Sequence, residues 1–211
     1  MIPVLIVPIL AGEARLRNML NSIDCGVDRL IVIDNGARVK DLPQVATEQY
    51  VIYSPENLGV AGSWNLGIKM TPSAPWWAIV NYDVTWPEHS LAKLAAAARQ
   101  DALVLSAGTP PWCAFALGDK VVEEVGLFDE AIYPAYFEDN DYQRRVLNAG
   151  MDVVQADVPV IHANSSTLAE HANRNHVTFP ENAAYYGEKV ADGDYSEGRW
   201  SLARRRRLSW D

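Results

Sequence analysis

Three short stretches of this chain, Val4–Val7, Leu30–Ile33 and Trp76–Val80, are apolar at every position. A strand with one wet face alternates apolar and polar residues. A strand with no polar face must be covered on both sides. Segments of helical character lie between them. Glu13–Asn21 puts Leu16, Met19 and Leu20 on one face, and Ala61–Met70 follows a glycine-bearing loop. Tyr50–Tyr53 reads as a further strand. This alternation predicts an α/β fold, a single domain with a mostly parallel central sheet flanked by helices.

Downstream, Pro87–Arg99 reads as a helix with Pro87 in its first turn. Leu103–Ser106 and Cys113–Leu117 read as strands and Lys120–Val125 as a short helix. Asp139–Ala149 reads as a helix closed by Gly150, and Val153–Val154 and Val158–Ile161 as short strands. From about Asn164 the chain turns polar and rich in His, Asn, Gly and Tyr. We expect one domain over 1–165 and a C-terminal extension over 166–211 that wraps it, shaping one side of its site or forming an oligomer contact.

A hydrophobic fraction of 49% against 21% charged residues favours a packed core over disorder. A formal charge of -9 disfavours extended nucleic-acid binding, because the phosphate backbone repels such a chain. Arg204–Arg207 is a local basic run, and a solvated tail is its first reading. Cys25 and Cys113 fit no zinc spacing and read as buried thiols of a reducing compartment. The N-terminus lacks the basic start of a signal peptide, and no run approaches the ~20 apolar residues of a membrane span. These features predict a cytoplasmic protein.

Polar residues gather where the apolar strands end. Asp34-Asn35-Gly36 follows one of them; a carboxylate or amide there suits a base N–H or a ribose hydroxyl, although Asx-Gly is also ordinary turn chemistry. Asn81-Tyr82-Asp83 follows another. An Asp just past a buried strand suits a divalent cation that bridges two phosphates, and a strand-ending turn is the plainer alternative. One carboxylate and one amide make a weaker chelate than two carboxylates. The loop Asn57–Gly67 carries Gly59 and Gly62, which allow close backbone approach, ahead of a helix N-terminus that favours an anion. It matches neither the P-loop nor the dinucleotide fingerprint.

Glu138-Asp139-Asn140-Asp141 crowds three carboxylates behind Tyr136 and Phe137. Crowding beside apolar surface raises proton affinity, which suits a general base. Helix capping uses only one such side chain. Asp139 is the favoured base, with Glu138 orienting it or binding acceptor hydroxyls. Arg144 and Arg145 pair with these acids or line a solvated face. His162 ends an apolar segment and suits a metal through a neutral imidazole nitrogen; alone it would read as hydrogen-bonded structure.

Taken in order, these segments resemble the family-2 glycosyltransferases with the GT-A fold, and most of all bacterial and phage members of the rhamnosyl- and galactofuranosyltransferase type. The residues are Val7-Pro8, Ile33-Asp34-Asn35-Gly36, Asn57-x-Gly59-x-Ala61-x-x-x-Asn65-x-Gly67, Asn81-x-Asp83, Gly126-Leu127-Phe128-Asp129-Glu130, Glu138-Asp139-x-Asp141 with Arg145, and His162. They span residues 4 to about 166. Tyr185-Tyr186-Gly187-Glu188-Lys189 is similar to a segment of some phage-type relatives. The sequence departs from the family at Asn81, where an Asp is usual, and at Ile9-Leu10, where polar residues follow the Pro.

The resemblance implies a hexosyl or deoxyhexosyl transferase with a nucleotide-sugar donor, UDP- or dTDP-linked, and Mn²⁺ or Mg²⁺. Pro8, Asp34, Asn57, Gly59, Asn65, Asn81 and Tyr82 would face the donor. Asp83 and His162 would hold the metal. Asp139 would be the base of an inverting displacement, with Glu138 beside it. Trp112, Asp141 and Arg145 are assigned to the acceptor side. The acceptor would be a glycan, a lipid-linked sugar, a protein or a modified nucleobase, and a homodimer is compatible with the reading. Two other classes stay open on the residues alone: a sugar-phosphate nucleotidyltransferase and a non-catalytic nucleotide-sugar or glycan-binding module. The first normally wants a basic Gly-rich loop, and Lys40 and Lys69 sit in none.

Overall fold

The computed structural model describes residues 1–163 and 172–196. The expected boundary at 165/166, Ser165-Ser166 and Arg204–Arg207 lie outside the described residues. Nine strands and six α-helices are described, in the order β1 (Ile2–Ile9), α1 (Glu13–Asn21), β2 (Val27–Asp34), β3 (Glu48–Tyr53), α2 (Gly59–Met70), β4 (Trp76–Val80), β5 (Val84–Thr85), α3 (Ser90–Ala97), β6 (Ala102–Leu105), β7 (Ala114–Gly118), α4 (Asp119–Val125), α5 (Glu138–Asn148), β8 (Asp152–Gln155), β9 (Ile161–His162) and α6 (Ala172–Asp192).

Seven strands form one sheet in the order β3-β2-β1-β4-β7-β6-β8. β7 alone runs against its neighbours β4 and β6; the other pairs are parallel. The apolar strands are buried on both faces, as their composition requires. Leu5, Val7, Leu30, Val32 and Ala78 face the layer that holds α1 and α3. Val4, Ile6, Ile31, Ile33, Trp77 and Ile79 face the layer of α2, α4 and α5. α2 lies so close to β1 that a Cβ on Gly67 would stand 2.7 Å from the Ile6 side chain. Cys113 is buried as expected, whereas Cys25 is only partly so.

Three local expectations are corrected. The helix expected at Pro87–Arg99 runs only from Ser90 to Ala97. His89 takes a left-handed backbone (φ 65), and Pro87 lies in the preceding turn, its carbonyl accepting from Ser90 N–H. Val158–Ile161 is not a strand; only Ile161–His162 pairs, in a separate two-stranded ladder with β5. The polar extension holds a 21-residue helix, α6, that runs through Pro180. Pro inside a helical pattern normally signals a stop, and that signal hid this element.

Register fixes where polar residues gather. Pro8 pairs with Ile33 and Ile9 with Asp34, so the carboxyl ends of β1 and β2 are level. Asn81 follows the end of β4, and its N–H donates to the Cys113 carbonyl at the start of β7 (2.8 Å). Because β7 is antiparallel, its beginning joins the carboxyl ends of its neighbours. Ligands of open α/β sheets bind at that edge.

Candidate active site

At the end of β4 the chain turns through Asn81 and Tyr82 into β5. Val84 then pairs with His162 in the β5–β9 ladder, and Ala163 N–H donates to the Asp83 carbonyl (3.1 Å). The ladder sets Asp83 Oδ1 and His162 Nε2 3.0 Å apart, with both side chains only 7% exposed. Asn81 Nδ2 lies 3.4 Å from the same ring nitrogen. The sequence expectation that positions 81–83 and 162 meet is met for this pair.

The other ring nitrogen, Nδ1, lies 3.2 Å from the Thr109 carbonyl oxygen. A carbonyl only accepts, so Nδ1 carries the hydrogen. In neutral imidazole Nε2 is then a bare lone pair facing a carboxylate. Two acceptors at that distance require a proton or a cation between them. Burial disfavours the imidazolium, but the Asp83 hydrogen bond and charge, aided by Thr109, outweigh it and hold the His162 pKa above its ordinary value. A divalent cation fits the same demand. A carbonyl holding the far nitrogen is the usual arrangement of a metal-ligating His. A spacing of about 3.0 Å also matches two adjacent ligands of an octahedral ion with bonds of ~2.1 Å. Among the described residues no cluster of three or more such ligands exists, so a cation here would complete its shell with substrate and water.

The second part of the site is the start of α5. Tyr136 and Phe137, the residues before the helix, both take left-handed backbone (φ 75 and 79). Such non-Gly conformations cost on the order of 1–3 kcal/mol each and persist only where surrounding contacts hold them. Asp141 N–H donates to the Phe137 carbonyl (2.9 Å), which opens the helix. Glu138, Asp139 and Asp141 occupy its first turn, where the helix dipole favours anions. Glu138 is buried, and its Oε2 has no hydrogen-bond partner among the described residues. Burial, then the neighbouring Asp139 charge, pushes the Glu138 pKa up to about 8. Half-buried Asp139 is also raised by desolvation, against its own hydrogen bond from Asn140 N–H (2.8 Å). Both adjacent carboxyls have raised proton affinity: Glu138 holds a proton near neutral pH, and Asp139 is the one equipped to accept one.

A chain of contacts carries α5 to the same sheet edge as Asp83. Asn35, just past β2, donates to Ser63 Oγ on α2 (2.8 Å) and accepts from Leu58 N–H (2.9 Å). At the start of α2, Val60 N–H donates to the Pro134 carbonyl (2.7 Å). Gly59 has φ 73, and a Cβ there would stand 2.8 Å from that same carbonyl oxygen, so only glycine fits. Pro134 leads into Tyr136, Phe137 and Glu138. On the β7 side, Trp112 Nε1 donates to Gln143 Oε1 of α5 (3.3 Å).

The remaining expected site residues divide by surroundings. Half-buried Pro8 lies one residue before the end of β1, opposite Ile33. Asp34 is buried; Oδ1 accepts from Gly36 N–H and Oδ2 from Val39 N–H, so it shapes the loop after β2. Asn57 Oδ1 accepts from Gly59 N–H (2.9 Å). Tyr82 is buried, its ring against Gly12. Asn65, deep on α2, donates to the Phe128 carbonyl and Glu130 Oε1 and accepts from Phe128 N–H, all at 2.9 Å. Both of its donors are engaged within the protein. Trp112 belongs to an aromatic cluster, stacked on Trp64 and edge-on to Phe115 and Phe128. Asp141 and Arg145 form a buried ion pair (2.8 Å), and Arg145 also donates to the Val125 and Leu127 carbonyls. These last three side chains lie inside, engaged with the chain itself. Sequence reasoning missed Thr109 and noted Asn35 only as a polar residue at a strand end; the roles of both are set by distant partners.

The model of glycosyl transferase family 2 matches residues 4–145, more than half of the chain. The chain belongs to this family. The match covers both the Asp83 segment and the start of α5. No curated protein matches the chain in sequence. Among solved structures, this family 2 chain is similar to the mannosyltransferase PcManGT from Pyrobaculum calidifontis in complex with GDP-Man and Mn²⁺ (TM-score 0.64, 14% identity, 97% of this chain and 67% of that one). It is also similar to GalNAc-T7 with UDP, GalNAc and Mn²⁺ (0.62, 9%, 77% and 44%). A third is glucosyl-3-phosphoglycerate synthase from Mycobacterium tuberculosis, in complex with Mn²⁺, UDP and phosphoglyceric acid (0.57, 16%, 86% and 78%). These likenesses are of fold, and they establish the family 2 chain as a GT-A domain with a mostly parallel seven-stranded sheet. Among the described residues no helix is long and apolar enough to cross a membrane.

Proposed function

We propose that this chain is an inverting glycosyltransferase that moves a sugar from a nucleoside-diphosphate donor to an acceptor hydroxyl. The observation that carries the reading is the Asp83–His162 pair at the carboxyl end of β4, in a family 2 chain whose fold neighbours were solved with nucleotides or a nucleotide sugar and Mn²⁺. Family membership favours transfer over the nucleotidyltransferase and binding-module readings.

Asp83 and His162 are the residues that would hold Mn²⁺ or Mg²⁺, which when bound supplies positive charge against the diphosphate. Pro8, Asp34, Asn57, Gly59, Asn81 and Tyr82 border the donor side. Asp139 takes the proton from the acceptor hydroxyl. A bond forms from that oxygen to the anomeric carbon as the bond to the diphosphate breaks, and the diphosphate leaves with the electron pair. One in-line displacement inverts the centre and needs no covalent nucleophile. Glu138, protonated near neutral pH, donates to or orients the acceptor beside Asp139. Within this reading the donor is UDP- or dTDP-linked, the sugar is of rhamnosyl or galactofuranosyl type, and the protein acts in the cytoplasm.

The test is a panel of UDP-, dTDP- and GDP-sugars with Mn²⁺, following release of free nucleoside diphosphate. Slow hydrolysis of one donor that disappears in Asp83→Ala supports the reading. Binding without turnover, unchanged by Asp83→Ala, overturns it.

A further inference from the structure

The face that α6 buries is polar. Thr178, Asn182 and Lys189 are 4%, 0% and 3% exposed, and their spacing puts them on one side of the helix. A helix that only sealed a core would bury apolar residues there. Buried amides and ammonium groups are tolerated only when fully partnered, and they add geometric specification more than stability. Asn182 and Lys189 find partners in residues 129–141, and Lys189 also donates to the Ser196 carbonyl (3.0 Å). Asn182 Nδ2 donates to the Tyr133 carbonyl (3.1 Å) and the Ala135 carbonyl (2.9 Å). Lys189 Nζ bridges Asp129 Oδ2 (2.7 Å) and Asp141 Oδ1 (2.9 Å), and Tyr185 donates to the same Asp129 oxygen (3.1 Å). Phe179 packs edge-on to Tyr136 and against Phe137, and Tyr186 stacks on Phe137. The helix thus grips both ends of the segment that carries the two left-handed residues.

We propose that α6 is a positioning element for the proton acceptor, with Asn182 and Lys189 as positioning residues that set Glu138 and Asp139 against the Asp83–His162 pair. The inference rests on the reading of Asp139 as base and assigns what holds it there. Asn182 fixes the backbone entering the left-handed pair. Lys189 fixes the first turn of α5 from behind, through Asp141. Neither residue has an assigned contact with donor or acceptor.

The experiment compares the full chain with Asn182→Asp, Lys189→Met and Asp139→Asn. Asn182→Asp keeps the shape of the side chain and removes both donors. With the nucleotide sugar that the wild type hydrolyses fastest, and with Mn²⁺ present, the two α6 variants are expected to lose about tenfold or more in kcat, with donor KM within about twofold. Backbone hydrogen exchange, which needs no turnover, is expected to speed up at 136–141 and stay unchanged in β1, β2 and β4. Unchanged kcat and unchanged exchange at 136–141 overturn the proposal, as does exchange that rises equally across the sheet. The base reading fails separately, if Asp139→Asn turns over as fast as wild type. In that case the exchange result still decides whether α6 holds the segment.

Discussion

His162 Nε2 stands 3.0 Å from Asp83 Oδ1, across 79 positions of sequence, because β5 and β9 pair so that His162 lies opposite Val84. With the Thr109 carbonyl holding Nδ1, the pair presents one carboxylate oxygen and one ring nitrogen to whatever lies between them. Removing either partner should weaken Mn²⁺ binding in the presence of nucleoside diphosphate. We expect Asp83→Ala to abolish it and His162→Ala to lower it by at least the ~10- to 100-fold that loss of an outer-shell partner alone costs. Titration calorimetry measures this, and Mn²⁺ affinity equal to wild type in both variants would remove the metal role.

Asp139→Asn keeps size and hydrogen bonding but takes away the proton acceptor. Donor affinity should stay within about twofold, while turnover falls by roughly 10²–10⁴, the contribution typical of a positioned general base. Parallel loss of donor binding would assign Asp139 to the donor rather than to proton transfer.

Glu138 gives a pH signature with a definite sign. Its folded pKa is near 8, against about 4.5 for an ordinary glutamate, so the native state holds a proton that the unfolded chain has lost. Stability from this group is complete below about pH 4.5 and declines as pH rises toward 8. Asp139 and Tyr136 face it, and the Asp139 charge adds to the effect of burial. Glu138→Gln should therefore match wild type in thermal stability near pH 4.5 and exceed it progressively up to pH 8, by at most about 5 kcal/mol. Melting curves across that range check it, and a constant offset would show that Glu138 stays ionised.

Asn65 separates architecture from donor contact. Its amide joins α2 to both backbone groups of Phe128. Asn65→Ala leaves a buried N–H and carbonyl unpaired, at about 1–3 kcal/mol for each orphaned group. We expect a lower melting temperature with donor KM unchanged in the folded fraction. A raised KM without loss of stability would return Asn65 to the donor side.

Much of this site was legible in one dimension. Trp76–Val80 and Glu13–Asn21 were readable to the residue, because apolar periodicity is a local property that burial must satisfy. Asp83, His162 and the 138–141 acids could be singled out as chemical candidates from residue type and place at strand and helix ends, where turn and capping roles compete with them. α6 was not legible, since Pro180 and a polar composition argue locally against a buried helix, and its buried amide and ammonium depend on partners 40 to 60 positions away.

The sequence alone determined the layered α/β architecture and which residue types stand at the sheet's carboxyl edge, because both follow from hydrophobic pattern and turn chemistry along the chain. Tertiary structure decided which of those polar groups face one another. It paired Asp83 with His162 and left Glu138 Oε2 without a hydrogen-bond partner among the described residues. It also turned Asp141, Arg145 and Asn65 inward to bind the chain itself. Ladder register and helix packing set these outcomes, and both depend on distances between segments that no local pattern encodes.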